Sequence, residues 1–141
     1  MSYLTCYNII VFAVKNPSGK FIKVEDDPKP DLRYPSMIDW LCTSAEYGGF
    51  EPFRFQIEAE KLANDDGSCP PYLCRLYLES DGAVWDWKSD MKELSSAFPD
   101  LVFKVHGEGG RTLDLWDAYI CDQKIQMCHA EIPPFNPNKL K

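Results

Sequence analysis

The sequence predicts an α+β domain: a mainly antiparallel sheet carrying two helices on one face, with a β-hairpin at its C-terminal end. Three observations predict it. Two segments place apolar residues at helical spacing, several others alternate apolar and polar residues, and the last two β-rich runs are separated only by Asp122-Gln123. With 141 residues, 45% of them hydrophobic and 13% aromatic, the chain suits one domain over residues 1–141 with its own core. Disordered chains lack this density of aromatic and branched side chains.

Residues 3–14 are almost continuously apolar or β-branched, the pattern of a strand buried on both faces. Asn16-Pro17-Ser18-Gly19 is a turn, and residues 20–24 return as a short second strand. Glu25, Asp26 and Asp27 repel one another and Pro28 and Pro30 lack the ladder donor, so residues 25–31 make a solvated loop. Met37, Ile38, Leu41, Cys42 and Ala45 then mark a helix, with Ser36 as its N-cap and Gly48-Gly49 as its stop.

Phe53, Phe55, Ile57 and Ala59 alternate with Arg54, Gln56, Glu58 and Glu60, which predicts a strand with one wet face. After a polar connection over residues 64–71, Tyr72, Cys74, Leu76 and Leu78 give another inward strand face, ended by Asp81-Gly82. Trp87, Met91, Leu94 and Phe98 form the stripe of a second helix, capped by Asp86 or Ser89 and closed by Pro99. Leu101, Phe103 and Val105 alternate as a strand ending at His106, and Gly107-Glu108-Gly109-Gly110-Arg111 reads as a loop. Residues 115–121 and 124–132 make the terminal hairpin, in which His129 faces Trp116; residues 133–141 extend as a proline-rich tail packed by Phe135. The central order of elements is that of a ferredoxin-like split βαβ unit, which leaves one sheet face without helices.

The charge is acidic throughout. Fifteen Lys and Arg against 22 Asp and Glu give a formal net charge of -7, and residues 1–70 and 71–141 each hold 11 of the acids. No basic stripe is present to neutralise phosphates, so direct nucleic-acid binding is disfavoured; a negative surface suits a basic protein partner or simple solubility. No apolar run approaches the ~20 residues of a membrane span, and residues 1–14 lack a basic signal-peptide start, so a cytoplasmic location is expected. Cys6, Cys42, Cys69, Cys74, Cys121 and Cys128 are then free thiols, Cys6 and Cys42 acting as small hydrophobes within apolar runs. Cys69, Cys74, Cys128, His106 and His129 lack the short paired spacings of structural zinc, so no metal is expected.

The string Met91-Lys92-Glu93-Leu94, Phe98-Pro99-Asp100-Leu101, a strand over residues 102–106, a Gly- and Glu-rich loop, and Leu115-Trp116-Asp117-Ala118-Tyr119 opening a hairpin is a recognisable structural pattern. It resembles the YubB-type ferredoxin-like domains of plasmids, phages and conjugative elements, over roughly residues 85–130. The resemblance implies a fold and a mobile-element origin more than an activity.

The candidate chemistry is sparse. The glycine loop after residue 106 precedes a strand rather than a helix and carries Glu108, unlike a phosphate cradle. His106 and His129 are the only imidazoles, and neither has a nucleophile at an informative spacing. The pairs Asp26/Asp27, Asp65/Asp66 and Asp114/Asp117 sit in polar segments where both carboxyls stay ionised, and residues 64–68 lack the ligand order of an EF-hand. Trp85 and Trp87 have opposite parity, so one indole is buried and the other exposed; Trp85 is assigned to the partner.

These features point to a non-enzymatic, cofactor-free protein that binds a basic host protein through an acidic surface. The expected partner-binding residues are Asp26, Asp27, Asp65, Asp66, Trp85, Asp114 and Asp117. In its sharpest form the protein is an anti-CRISPR-type inhibitor whose carboxylates compete with DNA for a Cas nuclease. Two other readings remain: a small-ligand-binding domain or enzyme on the open sheet face, and an oligomerisation module. The latter would be a homodimer pairing through the Phe53/Phe55 strand or the terminal hairpin.

Overall fold

In the computed structural model, which describes residues 5–26, 28–67, 70–109, 115–130 and 134–140, the sheet is built on β1 (Thr5–Lys15). Its Ile9, Ile10, Val11 and Val14 favour extended backbone. One edge of β1 pairs with β4 (Leu101–Glu108). The other edge is shared by β3 (Tyr77–Ala83) and, beyond it, the short β2 (Phe21–Lys23). β5 (Leu115–Cys121) and β6 (Lys124–His129) extend the sheet past β4. All of these pairings are antiparallel. β3 and β4 therefore run parallel to each other with β1 between them, joined across it by α3 (Trp87–Ala97).

Three helices, rather than the expected two, complete the α+β architecture: α1 (Arg33–Glu46), α2 (Arg54–Asp65) and α3. The addition is α2, which replaces the strand expected over residues 53–59. Phe53 and Ile57 are fully buried, whereas Phe55 is 86% exposed. A period-two run always contains pairs four residues apart, and here the core uses the helical pair. Gly48 and Phe50 adopt left-handed backbone, and a 3-10 turn over Glu51–Phe53, with Pro52 in its first turn, leads straight into α2. The second βαβ arm expected from this segment is therefore not formed by it, and the Phe53/Phe55 dimer edge does not exist.

α2 instead closes the outer edge of β3 with one side chain. The Gln56 amide donates to the Glu79 carbonyl, and the Glu79 N–H donates back to Gln56 Oε1 at 2.9 Å. That exchange copies the two bonds of an antiparallel strand pair.

Other details also differ from expectation. α1 starts at Arg33, so Ser36 lies inside it and donates to the Leu32 carbonyl at 3.2 Å instead of capping the helix. Leu73–Arg75 is a 3-10 turn that buries Leu73 and exposes Cys74, so β3 starts only at Tyr77 and runs on through Asp81-Gly82. β4 continues through Gly107 to Glu108. β1 is buried on one face only: Tyr7, Ile9 and Val11 are buried while Asn8, Ile10 and Phe12 are half-exposed. In the tail, Phe135 is exposed and a 3-10 turn forms at Pro137–Lys139.

The core lies between the helices and one sheet face. Ile9, Val11, Phe103, Val105 and Ile120 meet Met37, Leu41, Ile57, Met91 and Leu94 in a single cluster. Each such side chain contributes about 1.5–3 kcal/mol by leaving water. The hairpin tip forms without glycine: Asp122 and Gln123 both take positive φ, 47° and 67°, and Ser95 of α3 accepts the Gln123 N–H at 2.9 Å. Among the described residues no helix is long and apolar enough to cross a membrane.

Candidate functional site

The strands' alternation sends every second side chain to the sheet face opposite the core, and the register aligns them in rows. Glu79, Asn8, His106, Asp117 and Cys128, one from each of five strands, form one row. Tyr77, Ile10, Lys104, Tyr119 and Gln126 form the next. Cys6 and Glu108 are paired just beyond the first row. All of these residues are exposed or half-buried.

His106 is the hub of the polar end. Its Nδ1 lies 2.6 Å from Asp117 Oδ1 and its Nε2 lies 3.1 Å from Glu108 Oε1, while Lys104 Nζ approaches Asp117 Oδ2 at 3.8 Å. The hydrogen bond to Asp117 raises the imidazole pKa above its ordinary value; partial burial opposes the rise and Glu108 reinforces it. The two carboxylates lie against opposite ring nitrogens and do not converge on one point. Among the described residues no group of three His, Cys, Asp or Glu is placed to hold a metal. The hollow beside His106, lined by Asn8, Ile10 and Lys104, is only about 210 Å³.

The other end of this face is aromatic. Between Val11 and Ala13 the pairing of β1 with β4 shifts by one residue, a bulge at Phe12. Phe12 and Ala13 both line a shallow hollow of about 420 Å³ with Phe21 and Tyr119. The Phe12 and Tyr119 rings meet edge to face at 5.0 Å, and Lys23 Nζ is 5.8 Å from the Phe12 ring. Tyr77 and Phe21 are each more than half exposed.

Of the residues expected from the sequence to meet a partner, Asp117 lies on this face. Asp26 ends the 3-10 turn Val24–Asp26, while Asp65 closes α2 and Asp66 follows it; all three are exposed but belong to other elements. Asp65 is also engaged by Lys61 at 3.3 Å. Asp27 and Asp114 lie outside the described residues, as does Cys69.

Trp85 is a correction: it is 8% exposed and lies in the core, not on the surface. Its ring packs edge to face on Tyr7 at 5.1 Å and on Phe53 at 4.8 Å, and its Nε1–H donates to Asp90 Oδ2 at 2.6 Å. Trp87 is half-buried and stacks on Trp116 at 4.8 Å.

Glu79, Glu108 and the His106–Asp117 pair were not singled out by sequence. Their signal is the shared parity of Lys104, His106 and Glu108, visible only if the strand is carried through Gly107. Cys6, Cys42 and Cys121 are half-buried free thiols; Cys74 and Cys128 are exposed ones. Comparison of this chain with protein-family models, with curated proteins and with solved structures finds no match.

Proposed function

We propose that the protein is a non-enzymatic binding protein whose uncovered sheet face docks a basic protein. The observation that carries the reading is the row in which Glu79 and Asp117 flank Asn8 and His106, with Glu108 beside it and exposed Tyr77 in the next row. Carboxylates fixed on a rigid sheet can hold Lys and Arg at defined spacing, and exposed aromatic rings supply the apolar anchors that charge alone lacks. The net charge of -7 adds long-range attraction. The ferredoxin-like reading of the β3-α3-β4 crossover, the resemblance to mobile-element domains and a cytoplasmic location fit a host protein as target. In the sharpest version the target is the DNA-binding groove of a Cas nuclease.

The experiment is a DNA-cleavage and binding assay across several Cas nucleases. Inhibition by the wild-type chain is expected, with affinity falling at least about tenfold between ~50 and ~300 mM salt. The triple reversal Glu79→Lys, Glu108→Lys, Asp117→Lys is expected to abolish it, whereas Glu58→Lys on α2 leaves it intact. Absence of binding to any of them removes the Cas version. Binding that the triple reversal leaves unchanged removes the sheet face as the site.

The His106–Asp117 hydrogen bond favours a second reading, a small-ligand or acid–base site on the same face. The small volume of the adjoining hollow weighs against it. An activity found by substrate screening and lost in His106→Gln would support it.

A further inference from the structure

We infer that the outer edge of β6 pairs with the same edge of a second copy of this chain, antiparallel and two-fold symmetric about Met127, so that the two sheets join into one. This edge is a surface of its own, apart from the acidic row on the uncovered face.

The ladder fixes which backbone groups are free. The Ala130 N–H donates to the Leu115 carbonyl at 2.9 Å, next to the opposed residues Trp116 and His129. Hydrogen-bonded and non-bonded pairs alternate along an antiparallel ladder, so Lys124, Gln126 and Cys128 turn their backbone groups toward β5. Ile125, Met127 and His129 turn theirs outward, and among the described residues no strand or bridge meets them. The opposite side of the sheet offers no such edge. Gln56 closes β3, and β2 has only three residues.

β6 also lacks the devices that keep strand edges apart. It has no proline, its register with β5 runs without a bulge, and Lys124 is its only Lys, Arg, Asp or Glu. Met127 shares the helix-side face with buried Ala118, yet it is 37% exposed. A two-fold axis through Met127 sets Ile125 of each copy against His129 of the other, and Met127 against itself. Every outward N–H and C=O of those residues then finds a partner. Centring the axis on Gln126 would instead set His129 against Gln123, a turn residue with φ of 67° that cannot continue the ladder. The Met127 register also places Lys124 opposite Ala130 rather than a second cation, and withdraws the exposed Met127 side chains from water. Each copy's formal charge of -7 opposes association at long range, but no acid lies on the joining strand.

Sedimentation equilibrium of the chain between ~1 μM and ~1 mM measures the association. The mass is expected to rise from 16.2 kDa toward twice that value, and more readily as salt screens the net charge. Met127→Lys and Met127→Glu should each stay monomeric, because like charges then meet on the axis, and an equimolar mixture of the two should restore the dimer. In a Cys128→Ser background, Met127→Cys should cross-link under diamide, since a hydrogen-bonded pair sets its Cα atoms ~5.5 Å apart. Gln126→Cys should not, because the same register offsets its two copies to ~8 Å. A chain that stays monomeric to ~1 mM, a dimer that persists in both Met127 charge variants, or equal cross-linking of the two cysteine variants would each overturn the proposal. Glu79, Glu108 and Asp117 are untouched in every variant, so failure here leaves the sheet-face reading standing.

Discussion

Gly107 of β4 lies directly opposite Trp116 of β5, and the indole occupies the space that a side chain at Gly107 would need. The glycine therefore belongs inside a strand rather than in a loop. Trp116 uses the room to stack on Trp87 and to meet the Tyr7 ring at 6.0 Å, joining β1, β5 and α3. Gly→Ala in an open strand is neutral or stabilising. Here Gly107→Ala should destabilise by about 2–4 kcal/mol, because a Cβ collides with a packed ring. Urea denaturation with near-UV circular dichroism checks both the size and the displaced indole.

Gln56 makes the second prediction. Its amide meets both backbone groups of Glu79, so Gln56→Ala leaves one N–H and one C=O of an edge strand without that partner. A loss of about 1–2 kcal/mol is expected. The same variant should associate more readily, since an unblocked edge is a template for another strand. Light scattering at two concentrations measures that; unchanged mass and stability would mean that water replaces the amide without loss.

The His106–Asp117 pair gives a pH dependence of defined sign. Because the folded imidazole pKa is raised, the pair's stabilisation is fully present below the unfolded value of ~6.5 and is lost as pH rises through the folded value. The His106 side chain is 39% exposed, so solvent screening keeps the effect within about 1 kcal/mol. Asp117→Asn should accordingly cost more at pH ~5.5 than at pH ~9. It should also return the His106 titration, followed by NMR, toward its ordinary range.

Asp90 holds two donors at once: Trp85 Nε1–H at 2.6 Å and the Phe50 N–H at 2.9 Å. Phe50 has φ of 54°, a strained value for a side chain of that size, and the carboxylate pins it there. Asp90→Ala leaves both part-buried donors unpaired and should cost about 2–4 kcal/mol. A changed Trp emission is expected with it, since the Trp85 indole loses the carboxylate to which it donates.

Much of the frame was legible in the residues. The stripe Trp87, Met91, Leu94 became α3, the apolar run became β1, and counting from Asp122-Gln123 placed His129 opposite Trp116, as the register has it. Each of these depends on local periodicity or on a two-residue turn. The candidate site was less legible because it is assembled across strands distant in sequence: Glu79, Asn8, His106 and Asp117 share a row only through pairing. Trp85 misled because its burial depends on Tyr7, Phe50 and Phe53, none of them its neighbours in sequence.

Residues 53–59 show why alternation alone does not settle a strand. A strand over this segment would bury Phe53, Phe55 and Ile57 together on one face, whereas α2 buries Phe53 and Ile57 and turns Phe55 outward. The two arrangements predict different substitution costs. In the helix, Ile57→Ala should destabilise by about 2–4 kcal/mol, and Phe55→Ser should stay within about 0.5 kcal/mol. The strand would make Phe55→Ser the more damaging of the two, at about 3–5 kcal/mol for loss of a buried ring. Measuring the urea midpoints of both variants therefore tests α2 directly, and a costly Phe55→Ser would restore the strand.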